Sequence, residues 1–546
     1  MQDVKPVKNV IVMIPDGCSL ATISLARWFQ WYTDAEKEHL TLDPYICGTV
    51  RTSCSNAPIG DSAPTTSCYM TGYMSRAGWV STYPTADPGN DIYPVDPSKA
   101  YQPLTTVPEA VKHLYGKSTG LVFTCEFPHA TPADCSSHSY NRSKYEWIVP
   151  QQVANEVDVL IGGGTSLLLP EEESYLTARG WHVYRDDIAA MRTDTGNRMW
   201  ALFCPNDMPY ELDRNPQTQP SLAEMTAVAI DKLSSNDKGF FLMVEGSKVD
   251  WAAHNNDPAS MAMDYLAFDE ACRVAFDFAQ RDGQTAVIMV PDHGNSGLSI
   301  GRRDMKQYAR TPKHVFFENM TKFKASCDEL AVKINEVPFD QVQDFFMEWC
   351  GFTLTDTELE ALANCKEYTR SPVPEAQRKP VEGALYSTGL SRMIAQFMTE
   401  RTGMAFTSNG HTGEEVLLAA YHPVRDSRPY GLLTNVELNH YICNLYGMTH
   451  DTLDSLTAEF FVPHQTLLAG KHYETRKTVV HGKETRELII NGRKGEMHIV
   501  PFGTQVSVWK KTGRNKDVTT HRLPSVTVYV DANDTFYLPR TILQWL

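Results

Sequence analysis

Apolar positions along the chain follow two rhythms. Continuous apolar runs, rich in β-branched residues, occupy Asn9–Pro15, Val157–Ile161, Phe240–Val244 and Ala286–Val290, and acidic residues or glycines close them. Runs of this length without polar alternation predict strands buried on both faces. Between the last two, Met261, Tyr265, Phe268, Cys272, Ala275 and Phe278 recur at helical spacing, the pattern of a crossover helix lying on a sheet. Strand and helix alternate, which predicts an α/β fold: a large, mostly parallel central sheet with helices on both faces. In such sheets ligands sit at the carboxyl ends of the strands. Asp16, Glu245 and Asp292 all stand there, which marks the acidic residues as a candidate site.

The rhythm changes twice. From Arg302 to Gly403 the chain reads as Lys/Glu-rich helical segments, including Phe339–Trp349 and Thr355–Asn364. Beyond Phe461, short β-like runs (Glu487–Ile490, Gln505–Trp509, Ser525–Val530) alternate with turn residues. The expected organisation is a catalytic core over 1–301 and 404–460, a helical insertion over 302–403 near the cleft, and a C-terminal β-rich region over 461–546.

Composition narrows the classes. With 42% hydrophobic and 21% charged residues in 546, the chain is an ordinary globular protein rather than a disordered one. No apolar run is long enough to span a bilayer. A net charge of −16 disfavours nucleic acid as a partner. The twelve cysteines form no CxxC pair; they read mostly as buried thiols, with one or two disulfides possible if the chain is exported. The first residues, Met1 to Lys5, lack the apolar core of a signal peptide, which fits a cytoplasmic start or an export signal already removed.

The segment Gly60-Asp61-Ser62-Ala63-Pro64-Thr65-Thr66 through Thr71-Gly72 places a serine where a helix should begin. Unpaired N–H groups and the helix dipole favour a bound phosphate there, although such a stretch is often only a helix cap. A serine hydroxyl attacks phosphorus poorly unless a metal or a base activates it. Ligands for a metal occur in four places. Asp250 and His254 lie four apart, on one face if the segment is helical. Asp292-His293 follows a strand, His411 sits in a Gly-flanked loop, and Asp16 ends the first strand. Each alone has a dull explanation as a cap, a turn or a surface pair. Together they carry the imidazole and carboxylate chemistry that zinc prefers.

With these motifs, and with Pro220–Thr226, Gly239–Gly246 and Ala267–Asn295, the chain resembles the alkaline phosphatase family from the first strand to about Gly447, interrupted by the helical insertion. The resemblance implies a phosphate monoesterase with two zinc ions and one magnesium ion. It implies Asp250, His254 and His411 as ligands of the first zinc, beside the leaving oxygen. It implies Asp16, Asp292 and His293 as ligands of the second, which would hold Ser62 as nucleophile and as the site of a phosphoserine intermediate. Magnesium would be held by Asp16, Thr131 and Glu245, a hard oxygen set suited to that ion. Arg142 resembles the phosphate clamp, a fork that matches two phosphate oxygens. His129 and Trp251 complete the substrate-binding set at positions where family members vary between Asp and His, and among Lys, His and Trp. The resemblance also implies small phosphate monoesters as partners, a possible homodimer, a periplasmic or secreted address, activity that rises on the alkaline side, and inactivation by chelators.

Rivals remain at this stage. A sulfatase would need C/S-x-P-x-R, whereas Ser62-Ala63-Pro64-Thr65-Thr66 lacks the Arg. A metal-dependent phosphoglycerate mutase would lack the Asp-Ser-Ala segment. A phosphodiesterase of the same metalloenzyme superfamily is the leading alternative. A zinc-storing scaffold without catalysis would show a missing ligand, and none is missing.

Overall fold

The computed structural model describes residues 4–380, 387–512 and 515–546. The Met1–Asp3 end and residues 381–386 of the expected insertion lie outside the described residues. Four of the apolar runs form strands as expected, β1 (Asn9–Pro15), β4 (Val159–Gly163), β7 (Phe240–Gly246) and β8 (Thr285–Met289), and the structure adds β2 (Ile46–Arg51), β3 (Ser118–Glu126), β5 (His182–Arg185) and β6 (Met199–Leu202). The two-residue strands β9 (Gly294–Asn295) and β10 (His411–Thr412) follow, then β11 (Val416–Tyr421) and β12 (Gly431–Thr434). Ten of these build one sheet in the order β12-β2-β11-β8-β1-β7-β3-β4-β6-β5. The run from β8 to β5 is parallel throughout, whereas β11 runs antiparallel to both β8 and β2.

The helices that matter for the site are α1 (Leu20–Thr33), α2 (Ser62–Thr71), α3 (Ala130–Asp134), α4 (Lys248–Asn255), α5 (Pro258–Asp282) and α6 (Cys327–Ile334). The helical spacing from Met261 onward is α5; its Met261, Tyr265, Phe268, Cys272 and Ala275 are fully buried. Two apolar layers flank the sheet. Val10, Val12 and Ile14 of β1 face one, and Ile11 and Met13 face the other, as the two-residue period of a strand requires. Helices between residues 313 and 399 gather around a third apolar cluster that includes Phe346, Ile394 and Phe397. The C-terminal strands, from Tyr473–Val480 to Asn515–Arg522, form a five-stranded antiparallel sheet, and its Leu488, Ile490 and Met497 join the same apolar layer as β1.

All twelve cysteines are free thiols, ten of them buried, as the sequence predicts for most of them, and none is joined in a disulfide. All but Cys54 and Cys68 pack as small apolar residues in the three apolar clusters. No helix among the described residues is long and apolar enough to cross a membrane.

Candidate active site

The carboxyl ends of three adjacent central strands converge. Asp16 follows β1 directly, Glu245 is the penultimate residue of β7, and Asp292-His293 leave β8. All four are fully buried. Gly17 makes this convergence possible. Its φ is +60°, and a Cβ there would lie 2.1 Å from Asp250 Oδ1, so only glycine lets the β1 exit approach α4. The Gly17 N–H instead donates to Asp292 Oδ1 at 2.9 Å.

Helix α4 puts Asp250 and His254 on one face, with His254 Nε2 3.2 Å from Asp250 Oδ2. His411 differs from the expected exposed loop. It pairs with Asn295 in the short β9–β10 ladder and is half-buried. Pairing with the segment that leaves β8 brings its ring within 3.7 Å of the His293 ring, centroid to centroid.

The three histidines are oriented alike. His254 Nδ1 lies 2.8 Å from the Asn409 carbonyl, His411 Nδ1 2.9 Å from that of Gly60, and His293 Nδ1 3.1 Å from that of Gly294. With Nδ1–H donating to a carbonyl, each ring turns the lone pair of Nε2 into the site, the usual arrangement of an imidazole ligand. His254 Nε2 and His411 Nε2 then face each other at 3.2 Å. Two ring nitrogens at that separation call for a cation between them, or for a proton on one of them where no cation is bound.

The carboxylates give the same result. Asp16 Oδ2, Asp292 Oδ2, Glu245 Oε1 and Thr131 Oγ1 are buried without a hydrogen-bond partner. Such groups cost about 1–3 kcal/mol each when left unmet. Asp16, Asp292 and His293 offer donor atoms within 4.8 Å of one another, as do Asp250, His293 and His411. Burial, followed by the charges of Asp292, Asp250 and Glu245, raises Asp16 well above the usual carboxylate range. Burial and then Asp292 push Glu245 up to about 8. Burial opposes ionisation of Asp250 too, but its hydrogen bond to His254 and the neighbouring imidazoles overcome that and hold it low. These residues fit divalent cations. Without them, crowded carboxylates must share protons.

Ser62 is the first residue of α2 and 2% exposed, as the motif predicts. Its Oγ lies 3.5 Å from Asp16 Oδ1 and 3.4 Å from His293 Nε2. Arg142 stands across the cleft, donating from Nη1 to Asp61 Oδ1 at 2.6 Å and from Nη2 to His129 Nε2 at 2.9 Å. Burial and then Arg142 push His129 down to about 3, so it is a neutral acceptor at any working pH. Trp251 lies beside His129, with ring centroids 5.9 Å apart. Ser62, His129, Arg142, Asp250, Trp251, His254 and His411 therefore line one cleft, and Asp16, Glu245, Asp292 and His293 are buried together beside Ser62.

The structure adds residues that the sequence did not single out. Asp61 caps α2 only through its backbone conformation; its carboxylate holds Arg142 and accepts the Gly78 N–H at 2.7 Å. Its place beside Ser62 in the motif was the available signal. Cys125 Sγ lies 3.4 Å from Glu245 Oε2, and Cys125, His129 and Glu245 form a further donor group. Tyr210, Asn255 and Asp328 line the outer cleft, and no motif marked them.

The alkaline phosphatase family model matches residues 7–448. The chain belongs to the alkaline phosphatase family. Members of this family are metal-dependent phosphomonoester hydrolases, and the resemblance read from the motifs is confirmed over the span in which it was read. Alkaline phosphatase 4 of Bacillus subtilis is 31% identical over 448 residues, covering 80% of this chain and 88% of its own. The repressible alkaline phosphatase of Saccharomyces cerevisiae is 30% identical over 478 residues, covering 79% of each. Among solved structures, a cold-active alkaline phosphatase from a psychrophilic Shewanella species superposes with a TM-score of 0.68 at 27% identity, covering 80% of this chain and 99% of that one. The alkaline phosphatase fold extends to the Thermus thermophilus enzyme, with a TM-score of 0.69 at 23% identity, covering 83% and 96%.

Proposed function

We propose that this chain hydrolyses phosphate monoesters by two displacements at phosphorus, with Ser62 as nucleophile and a phosphoserine between the steps. The position of Ser62 Oγ carries this reading: it sits at a helix N-terminus, 3.4 to 3.5 Å from His293 and Asp16. Asp250, His254 and His411 would hold one zinc; Asp16, Asp292 and His293, with Ser62, would hold the second; Asp16, Thr131 and Glu245 would hold magnesium. When bound, these ions lower the pKa of the attacking hydroxyl and neutralise charge on the attacking and leaving oxygens.

The chain's own groups do the rest. Ser62 Oγ forms a bond to phosphorus as the ester oxygen departs on the opposite side, toward His254 and His411. Water then attacks the same phosphorus, releases inorganic phosphate and restores Ser62. The first N–H groups of α2 and the α2 dipole stabilise the equatorial oxygens. Arg142 clamps two of those oxygens, and Asp61 sets the direction of its fork. Neutral His129 and Trp251 add no cation, so Arg142 is the clamp's full positive charge on that side of the cleft.

Replacing Arg142 by Ala therefore lowers kcat/KM about 10- to 100-fold, mostly through KM, as expected for one bidentate charge-assisted contact. Steady-state rates at several phosphate-ester concentrations check this; an unchanged KM would remove Arg142 from the clamp. A periplasmic or secreted address belongs to the same reading and rests on family likeness.

The decisive experiment compares p-nitrophenyl phosphate with bis-p-nitrophenyl phosphate on the zinc- and magnesium-loaded protein. Fast monoester turnover with slow diester turnover is the expected result. A diester preference would make the chain a phosphodiesterase and overturn the roles given to Arg142, Thr131 and Glu245.

A further inference from the structure

The cleft that contains Ser62 has a volume of about 420 Å³ and an outer wall that a phosphoryl group does not need. Trp251, His254 and Asn255 follow one another along the cleft side of α4, so the cleft continues from His254 outward past Asn255. Asn255 Nδ2 donates to Asp328 Oδ2 at 2.9 Å, and Tyr210 Oη donates to the same oxygen at 2.9 Å. Asp328 is on the first turn of α6, in the helical segment between β9 and β10. Two donors on Oδ2 fix the carboxylate, and its other oxygen is left as an acceptor at the cleft wall.

The charges around this end are mostly negative. Asp213 accepts the Ser326 N–H and Asp257 the Cys327 N–H, both at 2.9 Å, so two more carboxylates stand behind Asp328 at the start of α6. Lys248 is spent elsewhere: it pairs with Asp207 and lies against the rings of Trp251 and Tyr210, 3.8 and 4.7 Å from their centroids. That contact pins both rings at the cleft and shows them accepting a cation at one face. Arg392, which is exposed, is a cation whose charge reaches His254 strongly enough to lower its proton affinity. A carboxylate that can only accept, flanked by a Trp and a Tyr ring, is a combination suited to an organic cation.

We propose that Tyr210, Trp251, Asn255 and Asp328 form a leaving-group subsite that selects phosphate monoesters of alcohols bearing an ammonium group. This rests on the proposed reaction at Ser62, because the ester oxygen must leave past His254 for its alcohol to reach Asp328. The subsite gives the helical segment a role in choosing the substrate, and it disfavours esters whose alcohol carries a second anion.

The test separates charge from shape. Phosphocholine and neohexyl phosphate have the same outline, with carbon replacing the quaternary nitrogen in the latter, and phosphocholine keeps its charge at alkaline pH. The expected kcat/KM ratio of phosphocholine to neohexyl phosphate is about 10. In Asp328→Asn, which keeps an acceptor for Tyr210 and Asn255, the ratio falls to near one. In Tyr210→Phe, which frees the carboxylate but keeps the ring, it falls part-way. A ratio near one in the unaltered protein, or a ratio that survives Asp328→Asn, overturns the proposal. Calorimetric binding of choline against neohexyl alcohol gives a readout that needs no turnover: weak binding of choline alone, lost in Asp328→Asn, supports the subsite, and equal binding of the two alcohols refutes it. Absence of turnover of every ester, with choline still discriminated, would instead refute the reaction at Ser62.

Discussion

Ser62→Ala lowers kcat for phosphate monoesters by about three to four orders of magnitude, because removing a covalent nucleophile leaves only what binding and fixed charges supply. The side chain is small and 2% exposed, and its two polar neighbours are also candidate cation ligands. Loss of one oxygen should therefore leave the fold and most of the bound metal in place. Steady-state rates, metal content and melting temperature measured together make the case. A second readout follows from the proposed intermediate: acid quenching of the unaltered protein during turnover should yield a peptide containing Ser62 with one added phosphate, and Ser62→Ala should yield none. A variant that keeps its rate within about tenfold would show that water attacks the ester directly, and Ser62 would then be a positioning group.

What the sequence revealed depended on how local the physics was. The buried strands were legible because a strand covered on both faces is apolar without interruption, and β1, β7 and β8 carry that pattern to within a residue or two. Asp250 and His254 were legible as a pair because four residues is one helical turn. His411 was legible as a candidate but not as a strand residue. Its pairing partner, Asn295, lies more than a hundred positions away, and a two-residue ladder has no period to detect. Cys125 looked like any core thiol on β3, and its approach to Glu245 arises only because β3 and β7 are neighbours in the sheet. Tyr210, Asn255 and Asp328 come from three separate stretches, and only the approach of α6 to α4 and to the segment after β6 makes one wall of them. Motifs thus exposed the chemistry shared across a family, while the features of this chain's own cleft depended on tertiary contact.

Metal removal should give this protein a stability that falls as pH rises through neutrality. In the metal-free fold Asp16 and Glu245 have raised pKa values, with Glu245 at about 8. Folding then takes up protons relative to the unfolded chain, whose carboxyls titrate in the ordinary range. Each extra bound proton lowers stability by about 1.4 kcal/mol per pH unit, from the unfolded pKa up to the folded one. Histidines sharpen the window. His129 and His411 have lowered pKa values, so they destabilise only below their ordinary value of 6.5 and are silent above it. His254 is raised, so its stabilisation also fades above 6.5, in the same direction as the carboxyls. Asp250, held low, is ionised in both states and contributes nothing to the slope. Between pH 6.5 and 8 the metal-free protein should therefore lose on the order of 2 kcal/mol, a few degrees in Tm at fixed scan rate. Zinc and magnesium neutralise the same oxygens, so the loaded protein should melt higher and with a shallower pH dependence over that interval, the remaining slope coming from carboxyls such as Asp134 and Asp264 that burial raises in either state. Chelator-treated and metal-loaded samples melted side by side decide the matter: a flat or rising Tm in the metal-free protein would mean that Asp16 and Glu245, at the ends of β1 and β7, are not crowded enough to hold protons, and the argument that they await cations would lose its electrostatic basis.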